Sequence, residues 1–170
     1  MRLPLFVAAV AAVLQGVPFS QHGTVAQRVS YTNIQVEYNR PVARGRALFG
    51  GLVKWDAEWN PGADSATFMR LDKDVIFEGK PLRKGEYSLW FIPRASAPWT
   101  VIVSSASHVF HAPYPGSQHE VLRAEVMPEK GAHMEVMAFY FPIVARDSAV
   151  LRFHWGETML PLRINVGREP

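Results

Sequence analysis

Apolar and polar residues alternate with a period of two through most of the chain. Over residues 31–38, Thr32, Ile34, Val36 and Tyr38 alternate with Asn33, Gln35 and Glu37, as in a strand with one buried face. Residues 86–92 and 99–103 are rich in aromatic and β-branched side chains, and the prolines at 93 and 98 predict a turn between them. Residues 121–127 alternate again. Residues 132–141 do so with both faces fairly apolar, which predicts a strand in the middle of a sheet. Residues 149–155 and 159–166 form two more runs, with Gly156-Glu157-Thr158 predicting a short hairpin between them. Phe77-Glu78-Gly79-Lys80, running on to Gly85, predicts another hairpin. A helical period is faintly suggested only over residues 117–126, where alternation favours a strand.

About eight to ten strands at roughly ten-residue spacing predict an all-β chain. The expected architecture is a single-domain antiparallel β-sandwich, jelly-roll or Greek-key-like, with a closed barrel as the alternative. No internal repeat, low-complexity tract or dividing linker interrupts the pattern.

The start of the chain changes the picture of where the domain begins. Met1-Arg2 is a short positive region, and residues 3–14 are apolar before Gln15-Gly16-Val17-Pro18 breaks the run. That run falls short of the ~20 residues a spanning helix needs, so residues 1–20 are expected to be a cleaved signal peptide, with the cut between residues 12 and 21. The domain is then 21–170, and the expected location is periplasmic or extracellular, with no stable membrane span after signal removal. The chain of 170 residues has no cysteine, which excludes a disulfide framework, a thiolate metal site and a cysteine nucleophile. A domain of this size buries roughly two-thirds of its unfolded surface and needs no such staples. The net charge of +3 is scattered, without a run of four or more lysines or arginines, and predicts a solvated surface with no nucleic-acid partner.

Candidate chemistry concentrates between Tyr38 and Tyr87. Arg40 and Arg46 carry planar forks that bind carboxylates, phosphates or carbonyls in pairs. They are either a ligand clamp or pins for a loop, bonding internal carbonyls or Asp64, Asp72 or Asp74. Trp55, Trp59, Phe49 and Tyr87 offer an aromatic platform for sugar rings or peptide side chains, or else a plug between sheets. The candidate ligand-binding set is Arg40, Arg46, Trp59, Asp64, Thr67 and Tyr87. In it Arg46 orients a polar group, and Asp64 holds Arg46 or accepts from the ligand. Gly50-Gly51 predicts a bulge or tight turn, since no helix follows to cradle a phosphate.

Other chemistry finds less support. His108, His111 and His119 are ligand types for an open zinc site, but their spacing matches no metal signature and solvated loop histidines are the simpler expectation. Carboxylates at Asp56, Glu58, Asp64 and Asp72 keep open a hydrolase acting on cell-envelope polymers through a facing pair. No Gly-x-Ser-x-Gly elbow and no cofactor motif occurs. The reading is therefore a non-catalytic module without a cofactor. It would bind a small molecule, a glycan or an envelope protein; a hydrolase or a purely structural envelope protein is the alternative.

An ordered set of residues resembles a bacterial family of exported proteins, the domain of unknown function DUF2911. It starts with Tyr38, Arg40, Pro41, Gly45, Arg46, Phe49 and Gly50. It continues through Trp59, Gly62-Ala63, Thr67, Asp74-Val75, Gly79-Lys80, Gly85, Tyr87-Ser88-Leu89 and Ile92-Pro93. Trp99-Thr100-Val101-Ile102, Val121-Leu122-Arg123, Leu151 and Trp155 complete it. The likeness covers nearly the whole chain after the leader. It implies kinship without implying an activity, a ligand or catalytic residues. Where the family commonly has Arg after the second tryptophan and Asn after Gly-Ala, this chain has Asn60 and Asp64.

Overall fold

A computed structural model describes residues 20–167, so the expected signal peptide lies outside the described residues apart from Ser20. Ten strands follow in order: β1 (Gln21–Val29), β2 (Thr32–Arg40), β3 (Phe68–Leu71), β4 (Val75–Phe77), β5 (Lys80–Leu82), β6 (Gly85–Ile92), β7 (Trp99–Ser104), β8 (Glu120–Val126), β9 (Glu129–Val144) and β10 (Ser148–Val166). The chain is all-β with two antiparallel sheets, ordered β1-β2-β3-β6-β7-β8 and β5-β4-β10-β9. One short 3-10 turn at Ser117–His119 precedes β8, so the stretch of residues 117–126 that alternation assigns to a strand is a strand from Glu120 on. No helix among the described residues is long and apolar enough to cross a membrane.

One hydrophobic core draws on both sheets. Ile34, Met69, Leu89, Phe91 and Val101 from the six-stranded sheet meet Phe139, Leu151, Phe153, Leu162 and Ile164 from the four-stranded one. Phe91 and Phe153 touch across it with ring centroids 5.4 Å apart, and Tyr38 meets Phe139 edge-on at 5.0 Å. A smaller cluster of Ala66, Trp90, Ile92 and Ile102 lies apart, with Val109 and Tyr114 packed on it. That is where the segment between β7 and β8 folds back.

Two expectations from the pattern need correcting. Residues 149–166 are one strand, not a hairpin. Gly156 takes φ 59° and makes a bulge at which the register with β9 shifts, while both halves of β10 keep their sheet partners. A left-handed residue relieves a bulge as readily as it makes a turn, so glycine alone does not separate the two. Strand β9 is at an edge, not central. Its free side is instead capped by the chain leaving β2: Met137 N donates to Pro41 O at 3.0 Å and Ala43 N donates to Glu135 O at 2.8 Å. The predicted turn at residues 78–79 is a two-residue hairpin, with Glu78 and Gly79 both at positive φ between β4 and β5.

Candidate functional site

Backbone accounting explains how the residues between β2 and β3 are placed. β3 starts only at Phe68, yet β6, its neighbour, runs on to Ile92, so the second half of β6 needs partners for its N–H and C=O groups. The preceding loop supplies them. Trp59 and Phe91 exchange two backbone bonds of 2.8 Å, Asp56 N donates to Pro93 O at 2.8 Å, and Leu89 N donates to Thr67 O at 2.9 Å. The Leu89 carbonyl is satisfied by the Nδ2 of the wholly buried Asn60, at 2.8 Å, whose Oδ1 accepts from Thr67 N at 3.0 Å. Thr67 Oγ1 in turn donates to Pro61 O at 2.7 Å.

The same accounting fixes the arginines. Arg40 donates its Nε to Met137 O at 3.0 Å, filling a carbonyl on the capped edge of β9. Arg46 donates Nε to Ala43 O at 2.9 Å and Nη2 to Val42 O at 2.5 Å. The expected Asp64–Arg46 pair does not form. Arg46 is held by backbone carbonyls, while the Asp64 carbonyl accepts from the backbone N–H and the Nδ1 of His111, at 2.8 and 2.9 Å. The chain then folds into a tight turn, with Gly50 N on Val53 O at 2.7 Å and Leu52 N on Ala47 O at 2.9 Å. A Cβ at Gly51 would lie 2.3 Å from Ala47 O, which accounts for the second glycine.

That turn sets Phe49 at an aromatic junction. Its ring meets Trp59, Trp99 and Trp155 edge-on at 5.9, 4.8 and 6.3 Å, and Trp55 at 6.2 Å. Trp59 and Trp155 stack. Trp59 is half-buried and serves as plug and surface together, whereas Trp55 is 37 % exposed.

Beside this junction lies a cavity of about 480 Å³. Trp59, Trp155, Val53, Leu52, Pro41 and Val42 give it an apolar wall; Arg44, Arg46 and His111 add cations or donors. Of the six sequence-chosen residues, the structure brings Arg46 and Trp59 together here. Arg40 and Asp64 lie nearby but line no part of it, and Thr67 is fully buried behind it. Tyr87 belongs elsewhere: its buried hydroxyl donates to Arg83 O at 2.8 Å, and burial raises its pKa. One further feature was not foreseen: the Trp155 indole Nε1 is buried with no acceptor among the described residues.

The histidines diverge. His108 Nε2 lies 3.0 Å from a Glu86 oxygen, His111 is on the Asp64 carbonyl, and the carbonyl of His119 accepts from Ser105. Among the described residues no group of three His, Cys, Asp or Glu side chains is placed to hold a metal. The carboxylates proposed for hydrolysis scatter too. Asp72 bonds the N–H and Nδ2 of Asn33 at 2.8 and 2.5 Å, and Asp56 lies 3.8 Å from Arg94. Asp56, Glu58, Asp64 and Asp72 all stay outside the cavity lining.

A second concavity, of about 630 Å³, was missed by sequence reasoning. Phe68, Arg70, His108 and Phe110 line it together with Glu37 and His22. The His108 ring stacks on Phe68 at 4.9 Å, and Glu86 accepts from Arg70 at 2.5 Å. Those bonds from Arg70 and His108 hold the Glu86 carboxyl below its usual pKa. The period-two rule puts Phe68 and Arg70 on one face, but the approach of His108 from a distant loop leaves no local signal.

Comparison with known proteins gives one answer. No curated protein and no solved structure matches the chain. The family model described as "Protein of unknown function (DUF2911)" matches residues 20–164, nearly all of the described chain. The protein belongs to the DUF2911 family.

Proposed function

We propose that this protein is an exported β-sandwich module that binds a small ligand in the cavity between Arg46 and Trp59 without transforming it. The observation that carries the reading is the cavity itself. A concavity of about 480 Å³ has an aromatic floor and a few convergent polar groups, the usual make-up of a small-molecule site. Its walls are held by backbone pairing at Trp59 and by carbonyl bonds at Arg46, so the cavity is formed without a ligand, which supports the reading. The two sheets sharing one core support the sandwich description. The apolar leader of residues 3–14 supports export to the periplasm or the medium.

The hydrolase reading has less behind it, because among the described residues no carboxylate lines this cavity. A purely structural role is favoured by a different fact: both arginines of the motif satisfy backbone carbonyls. Thermal melts of the purified protein against sugars, peptidoglycan fragments and metal salts separate these readings, since a ligand of the native state raises the melting temperature by mass action. A rise with a sugar or a peptidoglycan fragment that survives long incubation unaltered supports binding. Turnover of the fragment supports the hydrolase, and silence across the panel supports the structural role.

A further inference from the structure

We infer that the ligand of the Arg46–Trp59 cavity is a small amphiphilic anion, an apolar body ending in a carboxylate or a phosphate monoester. The inference rests on the reading of that cavity as the binding site and names the chemistry it selects. Two observations carry it, and a third supplies the readout.

The first is charge. Arg44 and Arg46 line the cavity, and among the described residues none of its lining side chains is acidic. Glu135, outside the lining, accepts from the Arg44 backbone N–H at 2.6 Å and offsets that arginine, so the selecting charge is that of Arg46. Arg46 is fixed by two bonds, but both acceptors are neutral carbonyls, so its charge is oriented and not cancelled. An arginine cannot shed its proton, and a planar fork suits an oxyanion better than any neutral group.

The second is the opposite wall. Trp59, Leu52, Val53 and Val42 present ring and aliphatic carbon, so a bare inorganic ion would leave most of the space unfilled. A ligand with a hydrocarbon or ring portion gains by covering them.

The third is the orphan donor. Trp155 also lines the cavity, is 1 % exposed, and carries a buried indole N–H with no acceptor among the described residues. A buried polar group without a partner is costly, and native proteins leave few of them. The N–H is enclosed within the wall, so it serves as a reporter: a ligand that fills the cavity changes the packing around it and shifts its signal.

The test is an NMR titration of the 15N-labelled protein, reading the indole N–H signals of its tryptophans, with Trp155 assigned by the Trp155→Phe variant. Four probes are compared: hexanoate, hexyl phosphate, hexanol and a neutral disaccharide. The expected result is that both anions move the Trp155 signal and bind at least about tenfold more tightly than hexanol, which is about 1.4 kcal/mol. The tighter of the two anions names the headgroup. Arg46→Met should weaken the anions and spare hexanol. Arg44→Gln, outside the carbonyl lock, gives a weaker form of the same comparison should Arg46→Met fold poorly. Equal affinity for hexanol, or a response to the disaccharide alone, overturns the anion assignment and leaves the cavity reading standing. If no probe moves any cavity signal the inference falls. The cavity reading falls with it when the sugar and peptidoglycan panel is silent as well.

Discussion

The indoles of Trp59 and Trp155 stack with centroids 6.1 Å apart and planes 14° from parallel, although one comes from a loop and the other from the long strand β10. Phe49 meets both edge-on. The loop is therefore anchored to the four-stranded sheet by rings and to the six-stranded sheet by the Trp59–Phe91 backbone pair. Trp59, Trp155 and Val53 belong to the core and to the cavity wall alike, so a change at this corner acts on both.

Trp59→Ala removes the ring that joins loop, core and cavity. Large-to-small changes of this kind cost about 3–5 kcal/mol when the site cannot collapse, and the half-exposed edge of Trp59 puts the expected loss near about 3 kcal/mol. Trp55→Ala, at 37 % exposure, should cost under about 1 kcal/mol. Urea unfolding of the two variants checks the ordering.

Asn60 offers a sharper contrast. Its amide both donates to Leu89 O and accepts from Thr67 N in a fully buried position. Asn60→Leu leaves two backbone groups unpaired at about 1–3 kcal/mol each, so a loss of roughly 3 kcal/mol is expected in denaturant melts. Asn60→Asp keeps the acceptor, loses the donor and buries a charge, which raises that carboxyl's pKa. Its deficit should be largest at neutral pH and shrink on acidification, as the protonated acid regains a donor.

How much of this was legible in the sequence follows from which forces act locally. The alternation at Ile34, Val36 and Tyr38 marks β2 correctly because burial on one face writes a period of two, and the glycine at 79 marks the β4–β5 hairpin through its φ. Gly156 was misread because a bulge and a turn ask the same thing of one residue. β9 looked central because both its faces are apolar, and the capping of its edge by Pro41 and Ala43 depends on a contact almost a hundred residues away in sequence. β1 was missed, since its exposed, polar-rich run Gln21–Val29 alternates weakly. Of the candidate set, Arg46 and Trp59 line one cavity. The grouping with Tyr87 failed because closeness in sequence carried no information about which side of β6 each residue occupies.

Gly156→Ala tests the bulge. A non-glycine residue at φ 59° is strained by roughly 1–2 kcal/mol, and the added Cβ would approach Leu48 Cδ1 to 2.8 Å. A loss of about 1–2 kcal/mol is expected, with Leu48→Ala relieving the contact and leaving the backbone strain. A neutral Gly156→Ala would mean that the bulge relaxes freely.

Acid should weaken the fold through its paired carboxylates. Glu120 accepts from Arg123 at 2.6 Å and from the Tyr114 hydroxyl at 2.6 Å, and the Arg123 bond first, then Tyr114, outweigh burial to hold its pKa below the ordinary 4.5. Burial and that same bond push the Tyr114 phenol up. A depressed carboxyl contributes stability above its unfolded pKa and loses it as pH falls through its folded one. Urea midpoints should therefore fall below about pH 4.5, and Glu120→Gln should flatten that fall while lowering the midpoint at pH 7.

The Leu52→Trp variant bears most directly on the claim that the corner is a binding site. Leu52 is 48 % exposed on the cavity wall, so a larger ring there obstructs the cavity with little demand on the core. Melting curves of wild type and variant, with hexanoate, hexyl phosphate and the sugar and peptidoglycan panel, give one result for each account. A binding site predicts that the variant melts within a few degrees of wild type without ligand and has lost the ligand-induced rise. A rise that persists undiminished in Leu52→Trp, or no rise with any compound in wild type, contradicts it and returns the corner to a structural lock.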